Sequence, residues 1–211
     1  MTSDTQSARD DLAFLRGLVD EDWRPGTWAF GAIYVSLGAA LVAHVLISWA
    51  AAEGYLPLRG VALMATYVVL YTVASFVWMW IGGHVRRESQ RGSAQAASVK
   101  GRAGGAALVS AFLGHLVMLA VLVIVAVRQQ NGVFLELAPL VLFTLQSVVW
   151  FVVHAMRRER WQGVVGWGWL LAVLGLAPLV GTSVFGLGIA ATAVVLMIVP
   201  GACMMRAARK V

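Results

Sequence analysis

Six apolar runs alternate with short polar connections along the chain, at 28–52, 60–83, 105–127, 135–153, 163–180 and 184–203. A helix of about 20 apolar residues crosses a hydrocarbon core of about 30 Å, so each run predicts a transmembrane helix, TM1 to TM6, tilted where it is longer. Ahead of them, residues 1–26 are polar, with six acids against Arg9, Arg16 and Arg24. Within that segment Ser7 and Asp10 have the spacing of a capping box. Leu12, Leu15, Leu18 and Val19 then share one helical face, which predicts a short amphipathic helix at the membrane surface. The pattern divides the chain into an N-terminal segment, 1–26, and a six-helix transmembrane domain, 27–211. Ala50, Ala51 and Ala52 have the small side chains of a signal-peptidase site. The leader is acidic and the run before them long, so TM1 is expected to be retained.

Two of the runs are near-copies. Residues 69–78 read VLYTVASFVW and residues 141–150 read VLFTLQSVVW, identical at six of ten positions, including Thr72/Thr144, Ser75/Ser147 and Trp78/Trp150. Each copy is followed by the same basic triplet, at 86–88 and 157–159, and His44 and His115 sit upstream at nearly the same offset. TM1–TM2 and TM3–TM4 therefore read as parallel duplicated hairpins, related by a pseudo-two-fold along the membrane normal. TM5–TM6 is a third hairpin of different sequence. Its Gly163, Gly166, Gly168, Gly186 and Gly188 predict close helix packing, because small residues let backbones approach in lipid. Pro178 and Pro200 are expected to end or kink their helices. Trp78, Trp150, Trp161, Trp167 and Trp169 fall where an interfacial aromatic belt would place them.

Composition agrees with lipid as the solvent: 60% of residues are hydrophobic and 12% charged, about half the charge of a soluble domain. The net charge of +6 lies in short clusters between apolar runs, which is not the layout of a nucleic-acid groove. Fourteen of the sixteen lysines and arginines fall in the N-terminal segment, the second and fourth connections and the C-terminus, leaving Arg59 and Arg128 elsewhere. The positive-inside rule then puts both termini in the cytoplasm. The compact connections suggest a bacterial inner membrane. The second connection, 85–104, is rich in Ser, Ala, Gln and Gly and predicts a flexible link. A single cysteine, Cys203, leaves no internal disulfide to form.

No Asp, Glu, Lys or Arg lies well inside a run, which argues against an ion-coupled transporter. Zincin, Walker and serine-hydrolase motifs are missing too. The four histidines carry what chemistry remains: His44 in TM1, His84 at the end of TM2, His115 in TM3 and His154 at the end of TM4. One per helix could make two ligand pairs, His44 with His115 and His84 with His154, at levels roughly 15–20 Å apart. This order of histidines resembles the cytochrome b561 type of di-haem four-helix core, over those four residues and their spacing. The resemblance implies haem b, with Arg86, Arg87, Arg157 and Arg158 placed to meet the propionates. Nothing else in the sequence asks for a cofactor. Against it, histidine suits helix C-termini, and a duplicated hairpin copies its histidines whatever they do. His84 also falls out of phase with Ser75, whereas His154 returns to the face of Ser147.

The second candidate is the polar stripe of the repeat, Thr72 and Ser75 with Thr144 and Ser147. Hydroxyls at this spacing are expected to hydrogen-bond across helices; the sharper reading is a path for a solute, also lined by Tyr67, Tyr71 and Gln146. The sequence thus predicts an all-α, six-span membrane protein acting as a non-enzymatic subunit, scaffold or sensor with a cytoplasmic or membrane partner. A di-haem electron carrier and a carrier for a neutral or weakly polar solute are its alternatives.

Overall fold

The structure, a computed structural model, describes residues 24–91, 99–131 and 133–209. Most of these residues are helical, with no strand among them. The order is α1 (Arg24–Ala52), α2 (Val61–Arg91), α3 (Val99–Gln129), a single turn α4 (Val133–Glu136), α5 (Ala138–Arg157), α6 (Arg160–Leu176), α7 (Val184–Ala193) and α8 (Val199–Ala207). Five stretches are long and apolar enough to cross a membrane: Thr27–Ala52, Val61–His84, Val133–Ala155, Arg160–Leu179 and Val184–Ala207. The 31-residue α3 adds the shorter apolar stretch Leu113–Gln129.

Local chemistry explains most of the ends. α1 starts with Pro25 in its first turn, where the missing N–H has no partner to lose. It stops at Gly54, whose φ of +82° suits glycine, and the N–H groups of Glu53, Gly54 and Leu56 satisfy the last carbonyls. α5 ends at Arg158, which takes the left-handed conformation without being glycine and donates its N–H to the His154 carbonyl at 2.7 Å. A 3₁₀ turn at Ala177–Leu179 carries Pro178 and closes α6, as the proline predicted. Pro200 acts differently. It stands just inside α8, after a π turn at Val194–Ile198, so the last span continues through a locally widened turn. The connection at 85–104 is shorter than its composition suggested, since α2 runs on to Arg91 and α3 begins at Val99. Arg86–Arg91 has no glycine or proline and is rich in good helix formers. The amphipathic helix expected at 12–19 lies outside the described residues, as do the side chains of Arg86, Arg87 and Arg157.

The helices form a core of four with two outriggers. α1 packs along α2 and along α7, the π turn and α8, while α5 packs along α6 and α3. The buried core is built from α1 (Tyr34), α5 (Phe143, Trp150), α6 (Val165, Trp169) and the last span (Phe185, Ile189, Met197, Met204). α2 and α3 lie outside it, each held mainly by one neighbour, and they share no extended interface. Gly31 faces Gly201, Trp28 faces His84, and His154 faces Gly163. Hence the starts of α1 and α6 and the ends of α2, α5 and α8 share one side of the bundle.

In lipid, apolar area alone gives little drive for helix association, so contact quality decides. At Gly31 an added Cβ would lie 2.6 Å from the Gly201 carbonyl oxygen, and one at Gly201 2.8 Å from the Gly31 oxygen. These two backbones are at touching distance. The expected small-residue packing of the third hairpin is also present: Gly163 lies against His154, Gly166 against Phe151, Gly168 against Leu196 and Gly188 against Leu176.

Candidate functional site

Two polar clusters interrupt the apolar bundle, and each is built on α1. The first is centred on Tyr34. Its hydroxyl oxygen accepts hydrogen bonds from Trp150 Nε1 and from Gln146 Nε2, both at 2.7 Å. Trp169 Nε1–H is buried beside the same hydroxyl without a well-formed hydrogen bond. Phe30 stacks on Tyr34, and Trp150 meets both rings edge-on. The knot ties α1 to α5 in a region with no water access, since Trp150 and Trp169 are both 0% exposed. Trp150 and Trp169 are thus core residues and not belt residues, while Trp161 and Trp167 do lie at the surface. Gln146 thus joins α5 to α1 through its amide nitrogen. Tyr34 itself is legible only as a lone phenol in the middle of an apolar run.

The second cluster lies between α1 and α2, toward the other side of the bundle. Ser48 Oγ donates its one proton to the His44 carbonyl at 2.7 Å. The 2.6 Å contact between Ser48 Oγ and the Tyr67 hydroxyl must therefore have the tyrosine donating. The His44 ring lies over Tyr67 with centroids 4.2 Å apart, and Tyr71 is 5.8 Å away. His44 Nδ1 is enclosed with no hydrogen-bond partner.

The four histidines lie in different surroundings. His44 belongs to the cluster just described, and His84 is exposed beside Trp28 and Trp80, at 5.2 and 6.0 Å between centroids. His115 Nε2 lies 3.2 Å from the Leu142 carbonyl, which can only accept, so this nitrogen carries the proton. His154 Nδ1 donates to the Glu159 carbonyl at 2.8 Å across the α5–α6 turn. The described contacts bring together neither His44 with His115 nor His84 with His154, and α1 shares no extended interface with α3. Axial ligation needs two imidazoles facing one slot, each with an unprotonated nitrogen.

The two copies of the repeat occupy different surroundings. Ser75 and Thr144 are exposed and bond back to the Tyr71 and Leu140 carbonyls of their own helices, at 2.8 and 2.9 Å, so neither bridges to a neighbour. Thr72 is exposed, whereas Ser147 is 1% exposed. Trp78 donates to Ser36 Oγ at 2.8 Å and is half-buried, while its counterpart Trp150 is fully enclosed. The sequence treats the two tryptophans alike, but the structure does not. Trp150→Phe is expected to destabilise by about 1–3 kcal/mol, leaving a hole and an unfilled acceptor. Trp78→Phe is expected to cost about 0.6 kcal/mol, the average for a hydrogen bond between membrane helices. Reversible unfolding in mixed micelles compares the two; equal losses would contradict this placement.

The turn between α5 and α6 holds one further polar group. Glu159 Oε2 accepts from Trp161 Nε1 at 2.7 Å and Gln162 Nε2 at 3.0 Å, which fixes the entry to α6. Among the described residues no three His, Cys, Asp or Glu side chains gather as a metal site. No family model, no curated protein and no solved structure matches the chain.

Proposed function

We propose that the chain is a non-catalytic, multi-pass subunit that docks another membrane protein along α2. The observation that supports this is an imbalance among the spans. In the apolar stretch of α2, 6% of residues are buried, against 28–39% in the other four spans. Some of that surface serves lipid equally well, as with Val68, Val69 and Met79. Other parts serve it poorly: Thr72, Ser75 and the hydroxyl-bearing edge of Tyr71 are exposed at mid-span, and Gly82 and Gly83 have nothing opposite them. Polar and small groups at hydrocarbon depth are the features through which membrane helices associate. On this reading the core of α1, α5, α6 and the last span is a rigid platform, and α2 is the element it presents.

The same proposal carries the finer topology. The chain crosses a bacterial inner membrane six times, with both termini in the cytoplasm and TM1–TM2 and TM3–TM4 derived from one duplicated hairpin. The positive-inside distribution supports that orientation, and so does the shared side of the α1 start and the α8 end.

Photo-crosslinking in native membranes tests the docking surface. A benzophenone amino acid at Phe76 or Met79 should give a discrete protein adduct, and one at Leu174 on α6 should label lipid only. Lipid labelling at all three positions would defeat the reading.

A further inference from the structure

The cluster on α1 and α2 has a property that helix packing leaves unexplained. Tyr71 is 44% exposed and its hydroxyl has no hydrogen bond. His44 Nδ1 is enclosed and unpartnered, while Nε2 is not enclosed and makes no hydrogen bond either. Placing the ring proton on Nδ1 would bury an unsatisfied N–H, the rarer and costlier defect. The proton therefore belongs on Nε2, at the surface of the bundle. His44 and Tyr71 then offer two donors from adjacent rings, 5.8 Å between centroids, toward lipid.

Depth narrows what could meet them. Midway along Thr27–Ala52 lies between residues 39 and 40, so at 1.5 Å per residue His44 sits roughly 7 Å from the mid-plane. Tyr71 lies near the middle of Val61–His84. Water is not available there, and an unpaired donor in hydrocarbon costs several kcal/mol, by general estimate. Ester carbonyls of phospholipids lie near the edge of the core, about 15 Å from the mid-plane. An acceptor at His44 and Tyr71 must come from a molecule that carries its carbonyl into the hydrocarbon.

We propose that His44 Nε2–H and the Tyr71 hydroxyl bind a carbonyl oxygen of a lipid-soluble, flat-ring molecule of the quinone class, with Tyr67 and Tyr71 supplying the aromatic flank. Ser48 and Tyr67 are positioning residues: their hydrogen bonds fix the turn of α1 that holds His44 and the ring that packs on it. Binding alone is assigned, with no redox step. Tyr71 belongs to both readings, since a helix docked along α2 would cover this site, so binding is tested on the chain alone and docking in native membranes.

The test titrates decylubiquinone against the full chain in ether-lipid nanodiscs, whose lipids carry no ester carbonyl, with empty discs as the partition control. Saturable binding near one per chain is expected. Tyr71→Phe keeps the ring and should weaken binding about 3–10-fold, one hydrogen bond's worth. His44→Phe should weaken it at least as much. Leu174→Ala, on the lipid-facing side of α6, should leave it unchanged. In infrared difference spectra the quinone carbonyl stretch should move to lower frequency with the wild type and less with Tyr71→Phe. Because Tyr71 is exposed, this variant keeps the test valid if His44→Phe fails to fold. Binding no greater than partition into empty discs would overturn the proposal. So would equal binding by the wild type and Tyr71→Phe. Binding that appears in ether lipid but vanishes in ester lipid would assign the donors to lipid carbonyls and overturn it too.

Discussion

Gly31→Ala should destabilise the bundle more than any other single-methyl change in it. The added carbon would meet the Gly201 carbonyl oxygen at 2.6 Å, with Met204 and Met205 carbons at 3.0–3.1 Å. Flexible methionine ends can move aside, but a backbone carbonyl cannot, so α1 and α8 must separate. Overpacking of this kind costs about 1–3 kcal/mol, and Gly31→Val should cost more. The comparison that isolates the effect is Gly175→Ala, where an added Cβ meets nothing within 4 Å. There the better helix propensity of alanine should leave stability unchanged or raise it by up to about 1 kcal/mol. Unfolding of both variants in mixed micelles decides the matter. If Gly31→Ala proves as stable as Gly175→Ala, the close crossing of α1 and α8 is not present in the membrane.

The second large effect is expected at Tyr34. Tyr34→Phe removes one oxygen but orphans two donors, Trp150 Nε1–H and the Gln146 amide. An average interhelical hydrogen bond in a membrane contributes about 0.6 kcal/mol, because partners are found in the unfolded state as well. The asymmetry of partner removal wins over that average here. Trp150 is inaccessible, so its N–H is left with neither protein nor water, at a cost of about 1–3 kcal/mol. A double-mutant cycle checks the origin of the loss. Tyr34→Phe and Trp150→Phe combined should cost less than the sum of the two single changes. Strict additivity would mean that the hydroxyl stabilises the core through something other than Trp150.

Both residues show where the sequence stops being legible. Runs of apolar residues give the spans because length and hydropathy act locally, and the glycines of the third hairpin gave its packing for the same reason. Gly31 and Gly201 escaped notice because nothing beside either glycine in its own run marks what it will face. Their meaning appears only when the first and last spans are set side by side. The repeat misleads in a more instructive way. Ser75 and Ser147, or Trp78 and Trp150, are the same residue in the same local setting, yet one of each pair is enclosed and the other is not. α6 lies along α5, and no equivalent helix lies along α2. Two like stretches of sequence thus lie one in a core helix and one in an outrigger. Of the candidate groups, the histidines were found by type, while their neighbours were not. His44 was visible; its company of Ser48, Tyr67 and Tyr71 depends on the crossing of two helices.

The backbone crossing of α1 and α8 joins residues 31 and 201, so 201 − 31 = 170 residues separate its two sides. During synthesis α1 enters the membrane long before α8 exists. At about 5–20 residues per second, the surface around Gly31 stays uncovered for roughly 10–30 s. In that interval α1 has α2 beside it first and, once α5 is made, Gln146 and Trp150 at its Tyr34 hydroxyl. The outrigger α2 is thus the first companion of a helix whose tight backbone crossing is made last.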